Sequence, residues 1–534
     1  MRTSFRVVVA IAVTALAFAH AAAGQTGPSL ATAQGAYNRL KASATPDGEL
    51  KRELDNIDHA LSEAIRLGRT GEARRLLAKG TALVSGRPWT DESDFAASIV
   101  LRADRLFVDP ARPFTLRIEQ IYAPTLGLSS PLAARLTLRR LVRSTQPVAG
   151  QAQVGETVRD LGSFEGVPRD LRESPYVTDL DLGSLPDGRY VVVAELSENG
   201  HAVAARGLAI EVRKNLDARL QKLEVGAGGA SELAHALRAD LVYPADYIRR
   251  ANRGLIDSGD FDLEKELLDA EATLDALNRR HDPFVGRTGD FKRHYLMPES
   301  GEIMPYHLYV PTSCGGKKAC PLVVALHGNG ANEDSFFLGE GRQLPVAAED
   351  HGFIVVAPLG YRVDAGYGRT SPTASKDLVL ARRRELSEAD VLHVIDLVRR
   401  DYRVDEDRVY LFGHSMGAAG AWYLGAKYPE RWAALACFSG LGVPSSVERM
   451  RQVGQFVVHG DADAVVAVEE SRAMVVEMKR LGVDHRYIEV RGGDHYNVVE
   501  PYVAEAFVFF DRHKRKARGS GLTAQDQTVW RAPL

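Results

Sequence analysis

One stretch constrains the fold of this chain more than any other. In residues 409–420 an apolar run ends in Gly413-x-Ser415-x-Gly417, and small residues suited to a helix follow. A serine hydroxyl is a weak nucleophile at neutral pH, so it has to stand clear of the backbone beside a base and hydrogen-bond donors. A sharp turn from strand to helix presents it in this way and needs small residues two positions before and after the serine. We therefore predict a nucleophile elbow with Ser415 at its tip.

The region around this elbow, residues 286–515, alternates between strand-like and helical runs. The predicted strands are 322–326, 353–357, 409–412, 433–438, 456–459 and 487–490. Alternation on this scale predicts an α/β fold, with a parallel sheet covered by helices on both faces. Functional groups in such a sheet gather at the carboxyl ends of the strands.

The preceding part of the chain has a different organisation. Residues 25–89 and 215–285 have helical periodicity, whereas residues 90–214 alternate with a period of two. We predict an immunoglobulin-like β-sandwich over 90–214, with a hairpin at Asn199-Gly200. The two helical segments are expected to pack together as one bundle from which the sandwich projects. The sandwich either binds a partner or a polysaccharide, or serves as a spacer.

The amino terminus predicts export. Arg2 and Arg6 precede the apolar residues 7–18, and small residues suited to cleavage follow. A membrane anchor is the alternative, but the apolar run is shorter than the roughly 20 residues that span a bilayer. We expect residues 1–24 to be a signal peptide, the protein to be periplasmic or secreted with no membrane attachment after cleavage, and the polar tail 516–534 to be mobile.

The composition argues against nucleic-acid binding and leaves one possible disulfide bond undecided. The formal net charge of -3 provides no basic field for nucleic acid. Cys314 and Cys320 flank a short glycine- and lysine-containing loop, so they are a candidate disulfide in an exported protein, while Cys437 is expected to be a buried thiol. No metal or organic cofactor is implied.

The other candidate catalytic groups follow strands of the predicted sheet. The strand 322–326 runs into His327-Gly328-Asn329, where the backbone N–H of Asn329 can complete an oxyanion hole with that of Met416. His327 itself is expected to be structural. The general base is predicted to be His495, which follows the last strand and fits the chain order serine, acid, histidine.

The acid that orients this histidine is expected after the strand 456–459. Asp461 and Asp463 both lie in that loop, and spacing alone leaves the choice between them open.

Four motifs carry a resemblance to a known family. They are Leu326-His327-Gly328-Asn329-Gly330, Gly413-His414-Ser415-Met416-Gly417, His459-Gly460-Asp461-Ala462-Asp463-Ala464-Val465-Val466 and Gly493-Asp494-His495. From about residue 293 to 510 the chain resembles serine esterases of the α/β-hydrolase superfamily, near the feruloyl esterase, polyhydroxybutyrate depolymerase, esterase D and prolyl-oligopeptidase-like groups. The resemblance implies that Asp463 is the acid.

The expected activity is hydrolysis of a small-molecule or polymer-linked carboxylic ester. Two alternatives stay open: a peptidase that uses the same triad on short peptides, and a binding or scaffold protein with an inactive hydrolase domain. Aromatic and basic residues after the second predicted strand are expected to contact an aromatic or carboxylated acyl group, or else to be surface packing. They are Tyr361, Arg362, Tyr367 and Arg369. The sequence does not specify the oligomeric state.

Overall fold

The structure is a computed structural model that describes residues 30–44, 46–142, 153–256, 261–316, 318–338, 343–369 and 378–515. The predicted signal peptide 1–24 and the tail 516–534 lie outside the described residues. The chain divides into two compact units, Met1–Asp282 and Pro283–Leu534. No helix within the described ranges has the length and apolar character needed to cross a membrane.

The first unit begins with helices. They are α1 (Leu30–Ala44), α2 (Gly48–Arg66), α3 (Thr70–Val84) and α4 (Asp91–Ser98). The apolar face of α2 buries Leu54 and Leu61 against Tyr37 of α1 and Leu77 of α3. Gly68 lies in the break between α2 and α3, with a φ angle of 68°.

Eight strands follow in two sheets. They are β1 (Ile99–Ala103), β2 (Phe107–Val108), β3 (Phe114–Gln120), β4 (Leu132–Val142), β5 (Gln153–Val167), β6 (Tyr176–Leu180), β7 (Gly188–Glu198) and β8 (His201–Val212). One sheet has the order β1-β3-β6 and the other β2-β8-β7-β4-β5. The predicted hairpin is confirmed: β7 and β8 pair antiparallel on either side of Asn199 and Gly200, whose φ angles of 49° and 80° suit a tight two-residue turn.

The unit ends in a second helical group. Its members are α5 (Leu216–Ala227), α6 (Glu232–Asn252) and α7 (Leu263–Asn278). These helices pack on one another, as α1–α3 do, but within the described residues no helix of one group packs along a helix of the other. The single predicted bundle is therefore wrong. Each group buries its apolar face internally and contacts the strand region instead, as where Asn252 accepts a hydrogen bond from the Leu106 N–H at 2.8 Å.

The second unit is built on an eight-stranded sheet. Its strands are β9 (Gly289–Met297), β10 (Glu302–Val310), β11 (Cys320–Leu326), β12 (Ile354–Pro358), β13 (Val404–His414), β14 (Ala434–Phe438), β15 (Gly454–Gly460) and β16 (His485–Val490). Its helices are α8 (Gln343–His351), α9 (Leu378–Asp401), α10 (Met416–Lys427), α11 (Val468–Leu481) and α12 (Val503–Asp511). The strand order is β16-β15-β14-β13-β11-β12-β10-β9.

The sheet is mixed rather than purely parallel. Strands β11 to β16 pair in parallel, as predicted, but β9 and β10 form an antiparallel hairpin that pairs with β12. Every residue of β11, β12, β14 and β15 is buried, which is typical of parallel strands covered on both faces. This arrangement places the carboxyl ends of β11, β13, β14, β15 and β16 at one edge of the sheet.

Candidate active site

The elbow predicted at Ser415 has strained geometry. Ser415 lies between β13 and α10 with φ 55° and ψ -115°, a backbone conformation that residues other than glycine rarely adopt. Its backbone N–H donates to the Phe438 carbonyl at 2.9 Å, which ties the turn to β14. A Cβ atom on Gly417 would lie 1.8 Å from the Leu326 carbonyl oxygen, and one on Gly413 would lie 2.3 Å from the Gly417 oxygen. Only glycines therefore allow α10 to leave the strand at this angle.

The loop after β11 lies beside the serine. A Cβ atom on Gly328 would be 3.5 Å from Ser415 Cβ, so the backbone of this loop passes directly over the elbow. The Gly330 N–H donates to the Val363 carbonyl at 2.8 Å, which holds the turn around the exposed Asn329. Met416 is the first residue of α10, where backbone N–H groups have no acceptor within the helix. Met416 thus directly follows the serine, and the loop that contains Asn329 passes close to the serine at Gly328.

His495 joins the serine to an acid. Its Nε2 lies 2.9 Å from Ser415 Oγ, and its Nδ1 lies 2.7 Å from Asp463 Oδ2. Because a carboxylate only accepts, Nδ1 carries the proton and Nε2 is free to accept the proton of the serine. The imidazole is almost fully buried, which holds this orientation.

The Asp463 side chain has no exposed surface, and both of its oxygens have hydrogen-bond donors. Its Oδ1 accepts from the backbone N–H groups of Val465 and Val466, each at 2.8 Å, and its Oδ2 faces His495 and, at 3.2 Å, His459 Nε2. Burial alone would raise the pKa of this carboxyl, but the hydrogen bonds from the two histidines and from Val466 outweigh it and hold the pKa well below its usual range. Asp463 therefore stays a carboxylate.

Asp461 has a different place in the same loop. It is exposed, and its Oδ1 accepts from the Gly492 N–H at 2.6 Å. A Cβ atom on Gly460 would lie 2.1 Å from the Gly493 oxygen, so the two loops pack backbone to backbone. The structure thus brings Asp463, and not Asp461, to His495, in agreement with what the resemblance implied.

Two histidines contact the site in ways that sequence reasoning missed. His459 precedes Asp463 by four residues, and its Nε2 lies 3.2 Å from Asp463 Oδ2. His414 precedes Ser415 directly, and its Nε2 donates to the His495 backbone carbonyl at 2.8 Å. Burial and the neighbouring His495 lower the pKa of His414 to about 4, so it is neutral when it does so.

His327 is structural, as expected. It is fully buried below the loop that it begins, and its ring nitrogens lie 2.9 Å from the Gly328 carbonyl oxygen and 2.8 Å from that of Leu359. Tyr367 packs edge-on against it, with ring centroids 5.6 Å apart. The Tyr367 side chain has no exposed surface, so the prediction that it contacts substrate is wrong: its apolar ring fills the space that Gly360 and Gly420 leave open.

The other three residues expected to contact substrate differ in how their side chains are held by the protein. Arg362 lies over the Tyr361 ring at 4.0 Å and forms an ion pair with Glu302 at 2.8 Å, while the Tyr361 hydroxyl donates to the same carboxylate. These two side chains therefore stabilise the loop after β12. Arg369 is half-buried, and burial lowers its pKa while Glu470 opposes the shift.

The buried Asp390 of α9 anchors the start of this loop. Its Oδ2 accepts from the backbone N–H groups of Gly360 and Tyr361 at 2.7 and 2.9 Å, and its Oδ1 accepts from the Tyr295 hydroxyl. Burial raises its pKa to about 6 even with these three donors.

The cysteines lie away from these groups. Cys314 and Cys320 are joined by a disulfide at the start of β11, and Cys437 is a buried thiol whose pKa burial raises. In the part of the chain that the structure describes, no group of three or more His, Cys, Asp or Glu side chains is arranged to hold a metal ion.

Comparison with known proteins confirms the predicted resemblance. Residues 304–448 match the family model described as Esterase PHB depolymerase. The chain is 28% identical over 181 residues to the bifunctional acetylxylan esterase/xylanase XynS20E of Neocallimastix patriciarum, which covers 34% of this chain and 24% of the relative. It is 29% identical over 135 residues to feruloyl esterase B of Neurospora crassa, or 25% of this chain and 43% of the relative. The matches span less than half of these relatives.

Solved structures of esterases are also similar. A CE1 ferulic acid esterase from Anaeromyces mucronatus, AmCE1/Fae1A, in complex with ferulic acid, shares 17% identity over 42% of this chain and 90% of its own, with a TM-score of 0.35. A thermostable esterase shares 19% identity over 78% of this chain and 100% of its own, with a TM-score of 0.33.

Proposed function

We propose that this protein is a serine hydrolase that cleaves carboxylic esters with a triad of Ser415, His495 and Asp463. The observation that carries the proposal is the continuous hydrogen-bonded series from Ser415 Oγ through His495 to Asp463, with heavy-atom distances of 2.9 and 2.7 Å. This series lies at a strained elbow where the serine is half-buried and a substrate can reach it. Such an arrangement activates a hydroxyl that is otherwise a weak nucleophile.

The proposed reaction has two halves. Ser415 Oγ attacks the ester carbonyl while His495 Nε2 takes its proton, and the backbone N–H groups of Met416 and Asn329 donate to the resulting oxyanion. The intermediate collapses as His495 returns the proton to the leaving alcohol, which leaves an acyl-serine. Water then attacks the acyl group with the same proton transfers, and the carboxylic acid is released. Asp463 keeps the imidazole in the required tautomer and stabilises its protonated form.

The substrate class that we propose is an acetyl or feruloyl ester, either small or attached to a polysaccharide. The support is the family match over residues 304–448 together with relatives that are named acetylxylan and feruloyl esterases. Among the residues after β12, Arg369 is the one that we propose contacts an acyl group, because its neighbours Tyr361 and Arg362 are bound to Glu302.

We also propose export and an immunoglobulin-like fold for the β region. The basic, apolar and small-residue succession at the amino terminus supports export, and the disulfide at Cys314 suits an oxidising compartment. The strand orders β1-β3-β6 and β2-β8-β7-β4-β5 support the fold, since they resemble the two sheets of immunoglobulin-like sandwiches. Such a module would bind a partner or polysaccharide, or act as a spacer.

The experiment that tests the activity compares wild type with Ser415→Ala on p-nitrophenyl acetate, methyl ferulate, acetylated xylan, a hydroxybutyrate oligomer and a peptide p-nitroanilide. We expect ester hydrolysis by the wild type and none above background by the variant. The exposed Ser445 provides a matched control, since Ser445→Ala should keep full activity. Undiminished turnover by Ser415→Ala would disprove the mechanism, and peptide cleavage without ester cleavage would identify a peptidase. Absence of fluorophosphonate labelling would identify an inactive scaffold.

A further inference from the structure

His459 makes the strongest unassigned contact with the proposed catalytic groups. It is the penultimate residue of β15, and both its side chain and that of Asp463 have no exposed surface. Its Nε2 lies 3.2 Å from Asp463 Oδ2, the same oxygen that accepts from His495 Nδ1. An aliphatic side chain would fill the same volume but would remove the contacts of this ring with Asp463 Oδ2, the Val466 carbonyl and Ser471 Oγ.

The surroundings of the ring determine where its proton lies. Nε2 faces two oxygens, Asp463 Oδ2 and the Val466 carbonyl oxygen at 3.0 Å, so it has to carry a hydrogen. Nδ1 lies 2.7 Å from Ser471 Oγ, a buried hydroxyl that can donate to it. In this arrangement the ring has one N–H, on Nε2, which is shared between the Val466 carbonyl and Asp463 Oδ2, and one nitrogen, Nδ1, that accepts from Ser471.

We propose that His459 is a positioning residue for the catalytic acid, an inference that rests on the proposed function. The His459 Nε2–H fixes the orientation of the Asp463 carboxylate, so that Oδ2 keeps facing His495 Nδ1. The same hydrogen bond takes up part of the negative charge on Oδ2, which limits how strongly Asp463 attracts a proton onto His495. His459 thus sets the orientation of the acid and the negative charge that the acid presents to His495.

Other charged and titratable groups also lie near His459 and Asp463. His495 and Asp463 face His459 directly, and His414 adjoins His495 with ring centroids 4.9 Å apart. On the neighbouring strand β16, Glu489 pairs with His459 in register, and Arg472 of α11 binds this carboxylate. Among the described residues, His459 and His495 are the side chains whose ring nitrogens face the Asp463 carboxylate.

The test uses two substitutions of His459. His459→Leu keeps the volume and removes the donor, while His459→Gln restores an N–H donor of similar reach. We expect kcat of His459→Leu for p-nitrophenyl acetate to fall by about 10- to 100-fold with KM unchanged, the factor that corresponds to one hydrogen bond to a charged group. The acid limb of its pH–kcat profile should move to higher pH, because a carboxylate with one donor fewer stabilises protonated His495 more. His459→Gln should recover most of kcat and the wild-type limb.

A purely structural role of His459 would lower the amount of folded enzyme without moving the acid limb. The kcat of each variant is therefore calculated per active site, with the active sites counted by fluorophosphonate titration. An acid limb at the wild-type pH in His459→Leu, or equal losses in the Leu and Gln variants, would overturn the proposal. If His459→Leu does not fold, Ser471→Ala decides: it should move the limb in the same direction by a smaller amount, and an unmoved limb overturns the proposal. Full activity of Ser415→Ala would instead overturn the proposed function itself.

Discussion

Replacing Asp463 with asparagine is the sharpest test of the proposed site. The carboxylate accepts two backbone N–H groups on Oδ1 and the His495 Nδ1–H on Oδ2. An asparagine has one oxygen and one NH2 group. The two backbone donors hold the oxygen on their side, since His495 can change tautomer and His459 Nε2–H keeps the Val466 carbonyl as its acceptor. The NH2 group then faces His495 Nδ1, which has to accept. The imidazole proton therefore moves to Nε2, which faces Ser415 and no longer accepts its proton.

The expected loss follows from this tautomer change. The same substitution in a Ser-His-Asp triad lowers kcat by about 10⁴, which corresponds to about 5.5 kcal/mol in the barrier. The KM should change little, because the Asp463 side chain is completely buried and does not face the substrate. The fold should be retained, since asparagine has nearly the same volume.

Asp461→Asn is the matched control. Asp461 is exposed and accepts one backbone N–H from Gly492, which an asparagine oxygen accepts equally well. We expect its kcat to stay within about threefold of wild type, a change of less than about 1 kcal/mol. Both variants are measured on p-nitrophenyl acetate from pH 6 to 9, with circular dichroism to verify folding. If Asp463→Asn kept a tenth of the wild-type kcat, or Asp461→Asn lost as much as Asp463→Asn, the assignment of the acid would be refuted.

Three further predictions test the surroundings of the triad. Gly417→Ala should lower Tm and slow fluorophosphonate labelling, because a Cβ atom there would lie 1.8 Å from the Leu326 oxygen; labelling at the wild-type rate would contradict this. The pKa of His414 is lowered to about 4 in the folded protein, so the unfolded state binds a proton more readily and acid favours unfolding. The free energy of unfolding should therefore fall by at most about 3 kcal/mol as the pH falls from about 6.5 toward 4. The urea midpoints at pH 7.5 and pH 5 should differ less in His414→Gln than in wild type. Arg369→Ala should raise KM for methyl ferulate, whereas Arg362→Ala, with its side chain bound to Glu302, should not; KM values for both variants check this.

The parallel part of the sheet was predictable and the antiparallel edge was not. Strands β11, β12 and β14 are continuous apolar runs, which is typical of parallel strands buried on both faces. Strand β9 contains Lys292, Arg293 and His294 and has no such signal. Its lysine is buried because Glu333 and Asp334, some 40 residues on, form ion pairs with it at 2.9 and 2.8 Å. Burial of these charges depends on partners that local patterning does not reveal.

The helical segments show a similar limit. The structure has helices in residues 30–84 and 216–278, but helical periodicity indicates only that each helix has an apolar face. Which faces meet depends on shape, and here each group buries its own faces rather than those of the other.

The sequence by itself determined the glycine-bounded turn at Ser415 and the order along the chain of the serine, the aspartate loop and the histidine that we propose as the triad. It could do so because glycine spacing and apolar runs act over a few residues, where backbone sterics leave few alternatives. The tertiary structure decided which aspartate meets His495, that His459 and His414 support the site, and that Tyr367 is buried. These contacts join residues from separate strands and loops, and their distances depend on how the sheet packs rather than on spacing along the chain.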